Sequence, residues 1–141
     1  MTLGEIKDQV MFQTNNDAED VGDYLPHLVD YINDGYDRLV FVWADNHCGG
    51  EDWPWLQEPA NESDTSGVDV PKTPEWTHKY LADWATWLVY RNGNPQKQQR
   101  GTAFRYAFEE MLSKIRDMGG MNGMNEDGTL KKYKNFINIP R

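Results

Sequence analysis

A single cysteine, Cys48, is all the thiol this chain has, and that excludes an internal disulfide framework. No apolar run approaches the roughly 18 residues a membrane-spanning helix needs. No basic stretch followed by an apolar one marks a signal peptide at the N-terminus. The expected setting is a reducing cytosol, or a particle assembled in one, with no membrane partner. Histidine is equally scarce, because His27, His47 and His78 are spread over two expected helices and a loop. Only His47 has a soft neighbour, Cys48, and one His-Cys pair falls far short of the four ligands, or three plus water, of a zinc site. Cys48 also lacks the surrounding signature of a catalytic nucleophile and reads as an inert thiol. Base is scarce in one half only. Residues 1–71 hold 16 acids and two bases, Lys7 and Arg38, whereas residues 72–141 hold seven acids and 12 bases. The net charge of -9 is therefore -14 against +5. Either the folded chain lays its halves side by side, or unlike faces meet between neighbouring copies, as a heterologous head-to-tail interface requires.

What the chain does have is aromatic mass, with 6 Trp, 7 Tyr and 5 Phe in 141 residues, of which 38% are hydrophobic. That length suits one domain, and wide rings allow a small set of side chains to bury much area. The periodicity is mostly helical. Thr2-Leu-Gly-Glu5 fits a capping box, and Leu3, Ile6 and Val10 recur at helical spacing in a first helix ending near Gln13. Thr14 to Gly22 is a polar turn. Asp23 is then the expected N-cap of a second helix with Pro26 in its first turn. Its stripe is Leu25, Leu28, Val29, Ile32, Tyr36, Leu39, Val40 and Trp43, running to about Ala44.

Residues 45–72 carry paired glycines, prolines and many acids, and read as a long inserted loop. Loops of that length are usually functional or disordered. Trp53, Trp55 and Leu56 suggest that part of it docks, either on the loop's own base or on a further component. Thr73-Pro74 predicts the N-cap and first position of a third helix, on which Trp76, Tyr80, Trp84, Trp87, Leu88 and Arg91 recur up to Asn92-Gly93. Asn94-Pro95 repeats the signal for a fourth helix. It carries Ala103, Phe104, Ala107, Phe108, Met111, Leu112, Ile115 and Met118 and is closed by Gly119-Gly120. The short connection makes helices three and four antiparallel neighbours. Residues 119–141 show no helical stripe. Glu126-Asp-Gly128 can turn a hairpin, and the apolar residues after Leu130 favour either a disordered tail or an extended arm that gains order on another subunit.

The expectation is a mainly α, four-helix bundle-like domain over 1–118, with the insertion loop at 45–72 and a C-terminal arm at 119–141. Its core would include Ile6, Val10, Leu28, Ile32, Tyr36, Leu39, Trp84, Leu88, Phe104, Phe108 and Leu112. The stretch Asp30-Tyr-Ile-Asn-Asp-Gly-Tyr-Asp37 mimics the start of a calcium loop. Aligning Gly35 to the template glycine puts Ile32 and Phe41 at ligand positions, and neither has a ligand oxygen. Gly49-Gly50 and Gly119-Gly120 lack a following Lys-Ser/Thr, so no phosphate cradle is indicated, and no nucleophile elbow is present. No catalytic residue, no metal ligand set and no cofactor is expected.

"TLGEIKDQV" followed by "YLPHLVDYINDGYDRLV", and later "PEWTHKYLADWATWLVYRNGNPQKQQRGTAFRYAFEEMLSKI", resembles the head-to-tail adaptor (connector) proteins of tailed bacteriophages over roughly 1–44 and 73–118. The resemblance implies a structural virion protein of the neck, assembled in the bacterial host cytoplasm. As a family these are small helical bundles that form a ring, usually of twelve, beneath the portal after DNA packaging, with a C-terminal arm along the portal. It also implies as partners the portal, neighbouring copies and a tail nozzle, stopper or other tail protein, with DNA passing through the channel and no sequence-specific contact. The inserted loop at 45–72 departs from the shortest family members. On this reading Lys131, Lys132, Tyr133, Lys134, Phe136, Ile137 and Ile139 form the portal-binding arm. Asp30, Asp34 and Asp37 face Arg100 or Arg105 of an adjacent copy, or line the channel. Trp53, Trp55 and Leu56 meet the next tail component. Gly35, costly inside a helix, would admit a helix of the neighbouring subunit. The rival readings are another neck protein of the same particle, a stopper or head-completion protein, and an acidic inhibitor that mimics DNA.

Overall fold

A computed structural model describes residues 1–14, 22–44, 52–61, 63, 64 and 66–131. Its helices are α1 (Leu3–Gln13), α2 (Leu28–Trp43), α3 (Glu75–Arg91), α4 (Pro95–Asp117) and the short α5 (Gly120–Gly123), with a 3-10 turn at Leu25–His27 ahead of α2. No strand occurs among the described residues, where the β pairing is a lone antiparallel bridge between Met124 and Leu130. The mainly helical bundle expected from the periodicity is the architecture found.

α1 starts as its sequence demands. The Glu5 N–H donates to Thr2 Oγ1 at 3.2 Å, and the Thr2 N–H donates back to Glu5 Oε1 at 3.0 Å, completing the capping box. Asn94 caps α4 in the same manner, its Oδ1 accepting from the Lys97 N–H at 3.0 Å, with Pro95 in the first turn. The other two starts differ from expectation. Residues 22–24 are already helical, so Asp23 is not the cap of α2. Pro26 instead falls in the 3-10 turn, and α2 begins at Leu28 behind His27, which makes no side-chain cap. Pro74 is the cap residue of α3 and not its first helical position. Thr73 is buried, its hydroxyl accepting from Thr77 Oγ1 at 3.0 Å.

α3 is the centre of the packing, meeting α4 most extensively and then α1 and α2. Its neighbours close over a core of Leu3, Ile6, Val10, Leu28, Ile32, Tyr36, Leu39, Leu81, Trp84, Leu88, Phe108 and Ile115. Phe104 and Leu112, expected in that core, are only half-buried, since Phe108, Met111 and Ile115 are the positions α4 turns inward. Gly35 meets a side chain of its own chain and not a backbone of another. A Cβ there would lie 3.0 Å from Trp84 Cδ1 and 3.2 Å from Trp84 Cβ. Trp84 is fixed from three sides: its Nε1 donates to Asp34 Oδ2 at 2.7 Å, Phe108 lies 4.9 Å away between ring centroids, and the Arg38 guanidinium stands 4.7 Å over the ring.

The chain after α4 also departs from expectation as far as Met124. Gly119 and Gly120 take positive φ of 86° and 58°, which glycine adopts without the steric cost of a Cβ. They turn α5 against the end of α2 so closely that a Cβ on Gly120 would lie 2.7 Å from the Trp43 carbonyl oxygen. Met124 is 1% exposed and belongs to the core. Gly120, Gly123 and Met124 are therefore part of the packed body, because Met124 gains more in the core than in water. Residues 125–131 make the turn expected at Glu126-Asp-Gly128 and return along Met124 through the Met124–Leu130 bridge, with most of their side chains exposed. Residues 132–141 lie outside the described residues.

Candidate assembly surface

The inserted loop is tied to the helices at several points. Asn33, facing inward from α2 and 1% exposed, donates through Nδ2 to the Leu56 carbonyl at 3.0 Å and accepts through Oδ1 from the Leu56 N–H at 2.8 Å. The side-chain amide thus satisfies both backbone groups of Leu56, as a paired strand would. The Lys72 N–H donates to Tyr36 Oη at 3.0 Å, the Leu3 N–H donates to the Asp69 carbonyl at 2.6 Å, and Lys7 pairs with Glu58. Burial raises the Tyr36 phenol above its ordinary range.

These ties decide what the loop can present. Leu56 is 3% exposed in the core and has no surface to offer a tail component, which corrects that expectation. Trp53 is half-buried against the same core. Trp55 remains 52% exposed, with its Nε1 held by Asp37 Oδ1 and Oδ2 at 2.9 and 3.0 Å.

The three carboxylates of α2 divide accordingly. Asp34 is engaged by Trp84 and by Arg38 Nε at 3.0 Å, and Asp37 by Trp55, whereas Asp30 is exposed with no partner among the described residues. Arg105 bonds Glu109 at 2.9 Å, one turn along α4, and lies 5.3 Å over the Trp87 ring. Arg100 is exposed on the same helix. Lys131 Nζ donates to the Met121 carbonyl at 2.7 Å, on the packed body. Lys132, Tyr133, Lys134, Phe136, Ile137 and Ile139 lie outside the described residues, as do His47 and Cys48.

Two titratable groups, His78 buried and Asp83 half-buried, belong to packing. His78 Nε2 donates to the Thr73 carbonyl at 2.8 Å, which leaves Nδ1 to accept from the Met1 amino group at 2.9 Å. Burial chiefly holds its pKa below the usual histidine range. Asp83, one turn further along α3, accepts from Gln13 Nε2 at 2.8 Å, and Gln13 Oε1 accepts from Thr86 Oγ1 at 2.6 Å. Burial raises its carboxyl, with the Gln13 bond and Lys79 opposing.

Among the described residues no group of three or more His, Cys, Asp or Glu is placed to hold a metal ion, and no helix is long and apolar enough to cross a membrane. Phe12 and Phe41, 73% and 50% exposed, and Arg116 beside Phe41 are surface residues that the sequence pattern does not single out. Phe41 stands one place off the apolar stripe of α2, and that displacement is the signal available.

With Lys97 left aside, the side-chain ion pairs between described residues each keep to one half of the chain. Lys7 pairs with Glu58, Arg38 with Asp34, and Arg105 with Glu109, while the Met1 amino group, which is no side chain, reaches across to Glu75 of the second half. Lys97 aside, no lysine or arginine of residues 72–131 forms an ion pair with a described acid of residues 1–71, despite the close packing of the helices. No protein-family model, curated protein or solved structure was found to match the chain.

Proposed function

We propose that this protein is a head-to-tail adaptor of a tailed-phage particle, a structural component that forms a ring under the portal and joins the filled capsid to the tail. One observation carries the reading: a chain of -14 and +5 halves folds into one bundle in which, Lys97 aside, the described lysines and arginines of the second half form no ion pair with a described acid of the first. A monomer gains little from such an arrangement. Copies meeting head to tail gain electrostatic steering and register from it, because the acidic side of one faces the basic side of the next.

The resemblance noted in the sequence supplies the portal as partner, and residues 132–141 are the part of the chain left to reach it as an arm. An acidic surface toward the channel would keep DNA from adhering, since like charges repel phosphate. The DNA-mimic alternative draws less support. Of the α2 carboxylates that would stand in for phosphates, Asp34 and Asp37 are already engaged by tryptophan N–H groups of their own chain.

The test is co-sedimentation of the purified chain with the portal ring encoded by the same genome, beside a chain truncated after Lys131. The full chain is expected to sediment with portal and the truncated one to remain behind. Equal binding by both would remove the arm assignment. Salt-sensitive binding to a DNA-processing enzyme, without portal affinity, would replace the proposal with the mimic.

A further inference from the structure

Between α2 and α4 runs a groove of about 340 Å³ lined by Asp37, Arg38, Phe41, Val42, Leu112 and Arg116. Its floor is apolar, and two of its three charges are committed, Arg38 to Asp34 and Asp37 to Trp55. Arg116 has no acidic partner among the described residues. The large apolar side chain with the highest fractional exposure among the described residues is Phe12, on the last turn of α1 and 73% exposed. Asp8 lies one helical turn before it, on the same face, exposed and without a basic partner among the described residues.

Phe12 does not fill the groove of its own copy, as its exposure shows, and α1 packs on α3 and α2 with no extended contact to α4. Knob and groove are thus different surfaces of one molecule. Each carries an apolar body beside an uncompensated charge, and the two charges are opposite. We propose that Phe12 of one copy seats in the α2–α4 groove of a second copy, with Asp8 of the first against Arg116 of the second. This rests on the ring reading and gives the copy-to-copy contact its residues. Because the two surfaces differ, the contact is heterologous and repeats from copy to copy, closing into a ring where the rotation allows.

The experiment uses the full chain with Cys48→Ser, into which Phe12→Cys and Phe41→Cys are introduced singly and together. Under mild oxidation the double variant is expected to give a ladder of covalent oligomers. The two single variants give dimers on mixing and little separately. A control pair, Phe12→Cys with Gln99→Cys, stays monomeric. With the ladder as readout, Asp8→Arg and Arg116→Asp each lower its yield at least about tenfold, and the two charge changes together restore it. A merely structural role would show no such restoration.

No ladder above the control, or equal dimer from either single variant alone, overturns the proposal. So does a charge pair that fails to restore. Should a cysteine variant misfold, sedimentation of the charge variants with native Phe12 and Phe41 probes the same contact. There too each single change must weaken association and the pair must recover it. Rings on portal without the 12–41 cross-link would refute this contact and leave the adaptor reading standing. The cross-link without portal binding would do the reverse.

Discussion

Asn33 occupies a position at which the α2 stripe would otherwise bury an aliphatic side chain, and its two bonds to Leu56 are the reason. Asn33→Ala strands a buried N–H and a buried carbonyl, so a loss of about 2–4 kcal/mol is expected in urea unfolding. A loss below ~1 kcal/mol would mean that the loop repacks without it. Gly35→Ala sets helix propensity, about 1 kcal/mol in favour of alanine, against a Cβ placed 3.0 Å from Trp84 Cδ1. Trp84 is held by Asp34, Phe108 and Arg38 and has little room to yield. Net destabilisation of about 1–2 kcal/mol is expected, and a gain in stability would show that Trp84 moves freely. In the sequence Gly35 is legible as an anomaly, but its neighbour lies 49 positions away and no local pattern names it. Asn33 gives no signal, since a polar residue between apolar ones reads as helix surface until its partner in the loop is known.

Titration at the same scale separates His78 from Asp83. His78 has its folded pKa lowered, so its contribution is complete above the ordinary histidine range of about 6.5 and is lost as pH falls toward the folded value. The thermal midpoint should drop between about pH 7 and 5.5, and His78→Gln should flatten that slope. Asp83 has its pKa raised, so its contribution is present below the ordinary aspartate range and is lost as pH rises through the folded value. At neutral pH the ionised carboxylate therefore costs stability. Asp83→Asn keeps an acceptor for Gln13 and should raise the midpoint at pH 7 by less than about 1 kcal/mol equivalent, since water still reaches the group. A fall in midpoint would show that Lys79 and Gln13 outweigh burial.

Among the elements, the helices are the most legible part of the chain. α1 and α4 carry self-contained start signals, Thr2 with Glu5 and Asn94 with Pro95, and both caps form. The starts of α2 and α3 depend on the turn of chain before them, and there the proline falls ahead of its expected place, Pro26 in the 3-10 turn and Pro74 at the cap. The segment after Gly119 has no helical stripe, so its sequence reads as arm. Met124 is nonetheless buried in the core, because the two positive-φ glycines bring Gly120 against the Trp43 carbonyl, an approach between residues far apart in sequence that no local pattern names. Removing 120–141 is accordingly expected to cost about 2–5 kcal/mol through loss of the Met124 contacts, measured by chemical unfolding. A truncation after Lys131 keeps Met124 and Leu130 and is the cleaner probe of the arm. Equal stability of the two truncated chains would contradict the packed role assigned to α5.

For the whole molecule, the charge split is visible in the sequence, but its consequence is not. Counting residues cannot tell whether the halves neutralise each other inside one copy or between copies. The side-chain ion pairs between described residues, Lys97 aside, stay within each half, and that favours the second. Association between copies should then weaken as salt rises, because a contact guided by unlike faces is screened beyond about 8 Å at physiological ionic strength. Salt-independent association would assign the contact to apolar burial alone. The most direct test of the adaptor reading is negative-stain microscopy of the chain mixed with the portal ring encoded by the same genome. A second ring of density stacked on one end of the portal is expected. Bare portals beside a folded, unassembled chain would contradict the adaptor assignment.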